Sequence, residues 1–361
     1  MKKLFLFAAA ALMVTACQNK NAYTMSGAIP VAQDGDTVAI AIAQGRSLET
    51  LAQAVVKDGK YEFKGETDTC QMAYLTLAGR PRILFFLEPG DIKADINDNG
   101  DNQAVGTLNN NRMEAFNSTL NGIFEGYGEL NQKLQDESIG EAEMADVRAK
   151  MEAMENKYDE AVKTAVADNT DCAFGLYLLQ QYSYNFEAEE LDALLGKYLQ
   201  AAPGNETLLR MKEQNDKVLA TAVGKKYIDF TMNDLTGNPA KLSDFVKQNK
   251  LTLVDFWASW CGPCRQEMPN VKAAYEKYKA KGFGIVGVSL DRDEASWKKG
   301  LEDLGMTWPQ LSDLKYWECE AAALYGVRAI PATVLIGQDG TIVARNLRGD
   351  KLAEKLEELL K

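Results

Sequence analysis

The residues best suited to chemistry are Cys261 and Cys264, in the run Trp260-Cys261-Gly262-Pro263-Cys264. Two cysteines at this spacing, where an apolar strand gives way to a helix, can close a small disulfide. A helix N-terminus offers unpaired N–H groups and partial positive charge, which stabilise a thiolate on an exposed first cysteine. A lowered pKa makes Cys261 an effective nucleophile near neutral pH. Cys264, one turn further in, is placed to attack the mixed disulfide and release the partner. A zinc half-site is the competing use of two such cysteines. Zinc wants four N or S ligands, and the chain has neither a second CxxC nor a histidine, so no metal is expected.

The rest of the composition narrows the field. The chain has 361 residues, 40 Lys+Arg, 52 Asp+Glu and a formal net charge of −12. That length suggests two or three domains. The acidic balance argues against nucleic acid, which needs a basic face to meet phosphates. With no histidine, Ser-His-Asp and Cys-His pairs, HExxH zinc sites and two-His iron sites are all excluded. No cofactor is expected.

Three zones must position the dithiol. From Val223 onward strands and helices alternate. Leu251–Trp257 is an apolar strand leading to the helix at Cys261, and Gly284–Ser289 is a second strand. Thr333–Ile336 and Thr341–Ala344 flank Asp339-Gly340 as a hairpin, and an amphipathic helix closes the chain. This pattern implies a mixed α/β sheet. Residues 111–222 read as helical, with Met113, Phe116, Leu120, Ile123, Phe124, Tyr127, Leu130 and Leu134 at helical spacing. Met144, Val147, Met151, Met154 and Tyr158 continue the pattern as a packed hairpin or a Met-rich partner groove. Residues 23–110 read as a small antiparallel β-sandwich, with Asp58-Gly59 as a hairpin turn. The chain is therefore a multi-domain α+β protein with a β-sandwich, a central helical segment and a C-terminal α/β sheet.

Val254-Asp-Phe-Trp-Ala-Ser-Trp-Cys-Gly-Pro-Cys264 is similar to the thioredoxin active-site segment. Pro269 matches that family's helix-kinking proline, and Ile330-Pro331-Ala332-Thr333 resembles its cis-proline loop. The resemblance covers 223–361. The stretch through Trp297 and Trp308-Pro309 looks like the extracytoplasmic thioredoxin-like (TlpA/ResA-like) reductases, some of which serve cytochrome c maturation. Residues 23–110 resemble a β domain of unknown function found ahead of thioredoxin modules in bacterial lipoproteins.

The resemblance implies roles residue by residue. Asp255 matches the buried acid below the disulfide, whose desolvation suits it to accept the Cys264 proton. Glu267 matches the acidic residue of the extracytoplasmic branch, one turn beyond Cys264 on the same helix face. Carrying both departs from either branch and leaves open which takes the proton. A cis bond before Pro331 would leave the Ile330 backbone free to pair with a client strand. Gly262 and Pro263 join the client-facing surface, and Trp260 shields the pair or touches the partner. Gly-Pro between the cysteines resembles reducing thioredoxins. The implied protein is thus a disulfide reductase, recharged by a membrane electron donor. Its rivals are a disulfide-forming oxidase or isomerase, and a surface-anchored binding protein with a vestigial CxxC. A peroxidase would need Pro-x-x-x-Thr-x-x-Cys, and Phe256-Trp-Ala-Ser-Trp260 stands there instead.

The N-terminus reads as an address. Lys2 and Lys3 precede a short apolar run ending in Val14-Thr15-Ala16-Cys17, which resembles the lipobox of bacterial lipoproteins. Residues 1–16 would then be a signal peptide, Cys17 the lipidated residue and 17–22 a tether. That places the protein in the cell envelope, facing the periplasm, with Gln18 favouring the outer membrane. Cys70, Cys172 and Cys319 stand singly, and three cysteines cannot all pair with one another. A buried apolar thiol is the default reading for each.

Overall fold

The computed structural model describes residues 20–97, 102–136 and 138–361. Residues 1–16 and Cys17 therefore lie outside the described residues. The chain divides into two compact units, one ending at Phe186 and the other beginning at Glu187. That division falls inside the stretch read as one helical region.

In the first unit β1 (Ala22–Ala28), β2 (Thr37–Gln44), β3 (Ser47–Val55), β4 (Lys60–Glu66), β5 (Gln71–Leu77), β6 (Arg80–Leu87), β7 (Gly90–Asp95) and β8 (Gln103–Val105) form two sheets. Their orders are β4-β1-β7-β8 and β3-β2-β5-β6. Alternating inward residues close the core: Met25, Phe63 and Ile92 from one sheet join Val38, Ile40, Leu75 and Phe85 from the other. The pairing is antiparallel except between β1 and β7, which run parallel.

The Asp58-Gly59 turn forms, but not as a hairpin. Both residues have positive φ, and Lys57 and Lys60 exchange two backbone hydrogen bonds of 3.0 Å. The strands then part, β3 pairing with β2 and β4 with β1. A local turn signal fixes the chain reversal, whereas the side chains buried on each strand decide which sheet it joins. Four helices follow: α1 (Leu108–Ile123), α2 (Tyr127–Leu134), α3 (Glu141–Asp168) and α4 (Ala173–Tyr182). Gly126, at φ 79°, divides α1 from α2 within the apolar series that begins at Met113. On α3, Val147 is buried and Met144, Met151 and Met154 are half-buried.

The second unit opens with α5 (Ala188–Ala201) and α6 (Glu206–Ala220), separated by Pro203-Gly204-Asn205. Asn205 caps α6 by accepting the N–H groups of Thr207 and Leu208. There follow β9 (Thr231–Asn233), β10 (Pro239–Lys241), α7 (Leu242–Val246), β11 (Leu251–Trp257), α8 (Gly262–Tyr278), β12 (Phe283–Ser289) and α9 (Glu294–Leu304). The unit ends with β13 (Gln310–Ser312), α10 (Glu320–Leu324), β14 (Ala332–Gly337), β15 (Ile342–Arg345) and α11 (Asp350–Leu359). The strands form one seven-stranded mixed sheet of order β10-β9-β13-β12-β11-β14-β15. β11 is central, parallel to β12, antiparallel to β14 and buried at all seven positions. Its continuous apolar run follows from cover on both faces. Asp339-Gly340 makes the β14–β15 hairpin, with Gly340 at φ 83°.

Candidate active site

The central strand delivers the chain to the dithiol at the N-terminus of α8. Cys261 is the N-cap of that helix, and its Sγ accepts the N–H of Cys264 at 3.1 Å. Pro263 sits in the first turn, where a missing N–H removes no helical bond. The two sulfurs are joined in a disulfide, with Cα atoms 5.3 Å apart. Gly262 and Pro263 are exposed above it. Cys261 is not the exposed residue the spacing led us to expect: only 4% of its surface meets solvent. The cover includes the Ile330 carbonyl oxygen, 3.6 Å from its Sγ. The Ile330–Pro331 peptide is cis, and Arg348 donates to the Pro331 carbonyl at 2.5 Å, anchoring that loop.

The segment before the cysteines is held by a carboxylate that the sequence did not advertise. Ser259 donates its N–H at 3.0 Å and its hydroxyl at 2.6 Å to Asp291, which is fully buried and also accepts Ser289 Oγ at 2.8 Å. Gly300 on α9 packs against the same serine: a Cβ there would lie 2.7 Å from Ser259 Cβ. The only local hint was a Ser289-x-Asp291 pattern at a strand end.

Asp255 is 3% exposed in the middle of β11, flanked in register by Gly287 and Thr333. Burial, and second to it the Glu267 carboxylate, pushes its acid from the ordinary 3.8 up to about 7. Its Oδ2 has no hydrogen-bond partner. An acid of this kind changes protonation near neutral pH, as a proton acceptor for a thiol must. Glu267 is half-buried on α8, accepting the Gly349 N–H at 2.7 Å and Asn270 Nδ2 at 3.3 Å. Gly349 is the N-cap of α11, so Glu267 also ties α8 to the last helix.

Trp260 faces outward at 46% exposure and packs against Tyr316, the rings tilted by 49° with centroids 5.0 Å apart. Trp317 lies edge-on to Trp260 at 6.1 Å and is 39% exposed. The Arg292 guanidinium sits 4.0 Å over the Tyr316 ring. Leu314 and Tyr316 both adopt positive φ, a costly backbone for such residues. The result is an exposed aromatic cluster beside the disulfide. The adjacent pair Tyr316-Trp317 in an otherwise polar stretch was its only trace in the sequence.

Of the other cysteines, Cys319 is fully buried in the apolar core, and burial pushes its thiol up to about 11. Cys70 and Cys172 are only half-buried. Polar groups surround them, so the apolar-thiol reading fails at both. Among the described residues no cluster of three or more His, Cys, Asp or Glu is placed to hold a metal.

Residues 223–345 match the AhpC/TSA family, and residues 23–113 match a domain of unknown function (DUF4369). The chain is 33% identical over 139 residues to the thiol-disulfide oxidoreductase ResA of Bacillus thuringiensis subsp. konkukian, spanning 38% of this chain and 77% of the relative. It is 34% identical over 141 residues to ResA of Geobacillus kaustophilus, spanning 39% of this chain and 78% of that one. Among solved structures, the thioredoxin domain of a thiol-disulfide oxidoreductase from Bacteroides vulgatus is 38% identical. That alignment covers 39% of this chain and 99% of the other, with a TM-score of 0.36.

Proposed function

The chain belongs to the TlpA/ResA-like thiol-disulfide oxidoreductases, and we propose that within that family it is a reductase of extracytoplasmic protein disulfides working through Cys261 and Cys264. The observation that carries the reading is the capping of α8 by Cys261. Its sulfur already receives the Cys264 N–H at 3.1 Å, a donor that stabilises a thiolate at the same position.

In the reduced protein the Cys261 thiolate attacks one sulfur of a client disulfide, and the other client sulfur leaves as a thiolate. Cys264 then gives its proton to a carboxylate and attacks the Cys261 sulfur, expelling the second client thiolate. Two electrons have passed to the client, and the Cys261–Cys264 disulfide remains. Asp255 is the favoured acceptor, because burial holds its acid near 7; Glu267 acts through its charge on Asp255. Ile330 and Pro331, with Gly262 and Pro263, border the sulfur and form the backbone edge for the client. Trp260, Tyr316 and Trp317 extend that edge as an aromatic contact.

The Gly-Pro pair supports the reducing direction, as does the lack of a histidine between the cysteines. A thiol-transferring donor in the membrane returns the two electrons. The lipobox-like run supports lipid anchoring at Cys17, in the envelope and facing the periplasm, with the outer membrane favoured by Gln18. Among the described residues no helix is long and apolar enough to cross a membrane. The catalytic module is 223–361, and the preceding β and helical segments govern reach or choice of client, cytochrome c maturation factors included.

Expressing the Cys264→Ser chain in a cell envelope tests the exchange step. It should accumulate mixed disulfides through Cys261 that reductant releases. Absence of such adducts, with wild-type function intact in Cys261→Ser, would instead favour a binding protein with a vestigial CxxC.

A further inference from the structure

Two cysteines of the first unit, far apart in sequence, each lie against a side chain near the start of one helix. On α1, Asn109 and Arg112 stand one turn apart on the same face. Asn109 Nδ2 donates to Cys70 Sγ at 3.4 Å, and Arg112 Nη1 donates to Cys172 Sγ at 3.0 Å. Asn109 is fixed in place. Its Nδ2 also donates to Glu88 Oε2 at 2.6 Å, and its Oδ1 accepts the Phe174 N–H at 2.8 Å, two residues past Cys172. Cys70 itself donates to Glu88 Oε2 at 3.7 Å. Burial first, then Glu88, then the nearby Cys172 thiol push the Cys70 thiol up to about 12. Cys70 directly precedes β5, and Cys172 is the N-cap of α4.

We propose that Cys70 and Cys172 are a second dithiol–disulfide couple, whose closure ties the segment ahead of β5 to the start of α4. Their neighbours give them different tasks. Cys172 is half-exposed at a helix N-terminus with a guanidinium against its sulfur, so it makes the first attack. Its thiolate attacks one sulfur of an external disulfide and expels the other as a thiolate. Cys70, passing its proton to Glu88, then attacks the Cys172 sulfur and expels the second external thiolate. The pair loses two electrons and two protons, and the external disulfide gains the two electrons. Pairing Cys70 with Cys172 also accounts for the odd cysteine, since Cys319 is left as the buried single thiol.

The test uses the full chain with Cys261→Ser and Cys264→Ser, so that exchange at the catalytic pair cannot contribute and failure of the reductase reading would not affect the result. The protein is equilibrated with oxidised glutathione, unfolded in iodoacetamide, digested and mapped by mass spectrometry. The Cys70 and Cys172 peptides should appear joined, two hydrogens lighter than their sum, and become alkylated only after reduction. Recovery of both as separate alkylated peptides, or each carrying its own glutathione, would overturn the proposal. In single variants, Cys70→Ser should leave Cys172 holding glutathione, whereas Cys172→Ser should cut glutathione uptake at Cys70 at least tenfold relative to that. Equal or faster uptake at Cys70 would contradict the assigned order of attack.

Discussion

Replacing Asp255 by Asn probes the buried acid of the central strand through stability, independently of turnover. Asp255 is buried in the central strand, and its acid rises from 3.8 to about 7 on folding. The sign follows from linkage. A carboxyl with a raised folded value binds its proton more tightly in the native state, so its contribution is complete below pH 3.8 and is lost as pH rises through about 7. The gap between 3.8 and about 7, at 1.36 kcal/mol per pH unit, corresponds to about 4 kcal/mol as an upper bound. Asn keeps the shape and cannot ionise. The stability of Asp255→Asn relative to wild type should therefore rise by about 2–3 kcal/mol between pH 5 and pH 8. All five tryptophans lie at or beyond Trp257, so urea unfolding followed by tryptophan fluorescence reports the second unit alone. A difference that stays flat across this range would show that folding does not raise the Asp255 acid.

Three further substitutions separate the parts of the site. Glu267→Gln removes the carboxylate that raises the Asp255 acid, so the pH step in that same unfolding difference should move to lower pH; an unmoved step would mean that burial acts alone. Trp260→Ala combined with Trp317→Ala should raise KM for protein disulfides about tenfold, a loss of about 1.4 kcal/mol. Turnover of a small aromatic disulfide and the urea midpoint should hardly change, and an equal loss on both substrates would remove the aromatic cluster from client recognition. Asp291→Ala strands the Ser259 N–H and the Ser259 and Ser289 hydroxyls, which should cost about 3 kcal/mol in urea unfolding. A cost below about 0.5 kcal/mol would show that water replaces the carboxylate.

What could be read from the sequence was whatever depends on near neighbours. The apolar run Leu251–Trp257, the CGPC at a helix start and the Asp339-Gly340 hairpin each carry their cause within a few residues. Asp58-Gly59 shows the limit. It makes the turn its chemistry demands, yet the strands on either side join different sheets because burial, not the turn, selects partners. The same limit hid the site's supports. Ser259 is held by Asp291, Glu267 by the backbone of Gly349, and Trp260 by Tyr316 and Trp317. Each is a pairing across the sheet or between loops that no local pattern encodes. Cys70 and Cys172 stood singly in the sequence, and Asn109 and Arg112 of α1 each hold one of them.

The equilibrium reduction potential of Cys261–Cys264 in defined thiol buffers tests the central claim most directly, with Trp257 and Trp260 reporting the redox state by fluorescence. The account predicts a value of about −250 mV or below, in the range of reducing thioredoxins. A value above about −150 mV would place the pair with the oxidants, reverse the electron flow and make disulfide formation the function.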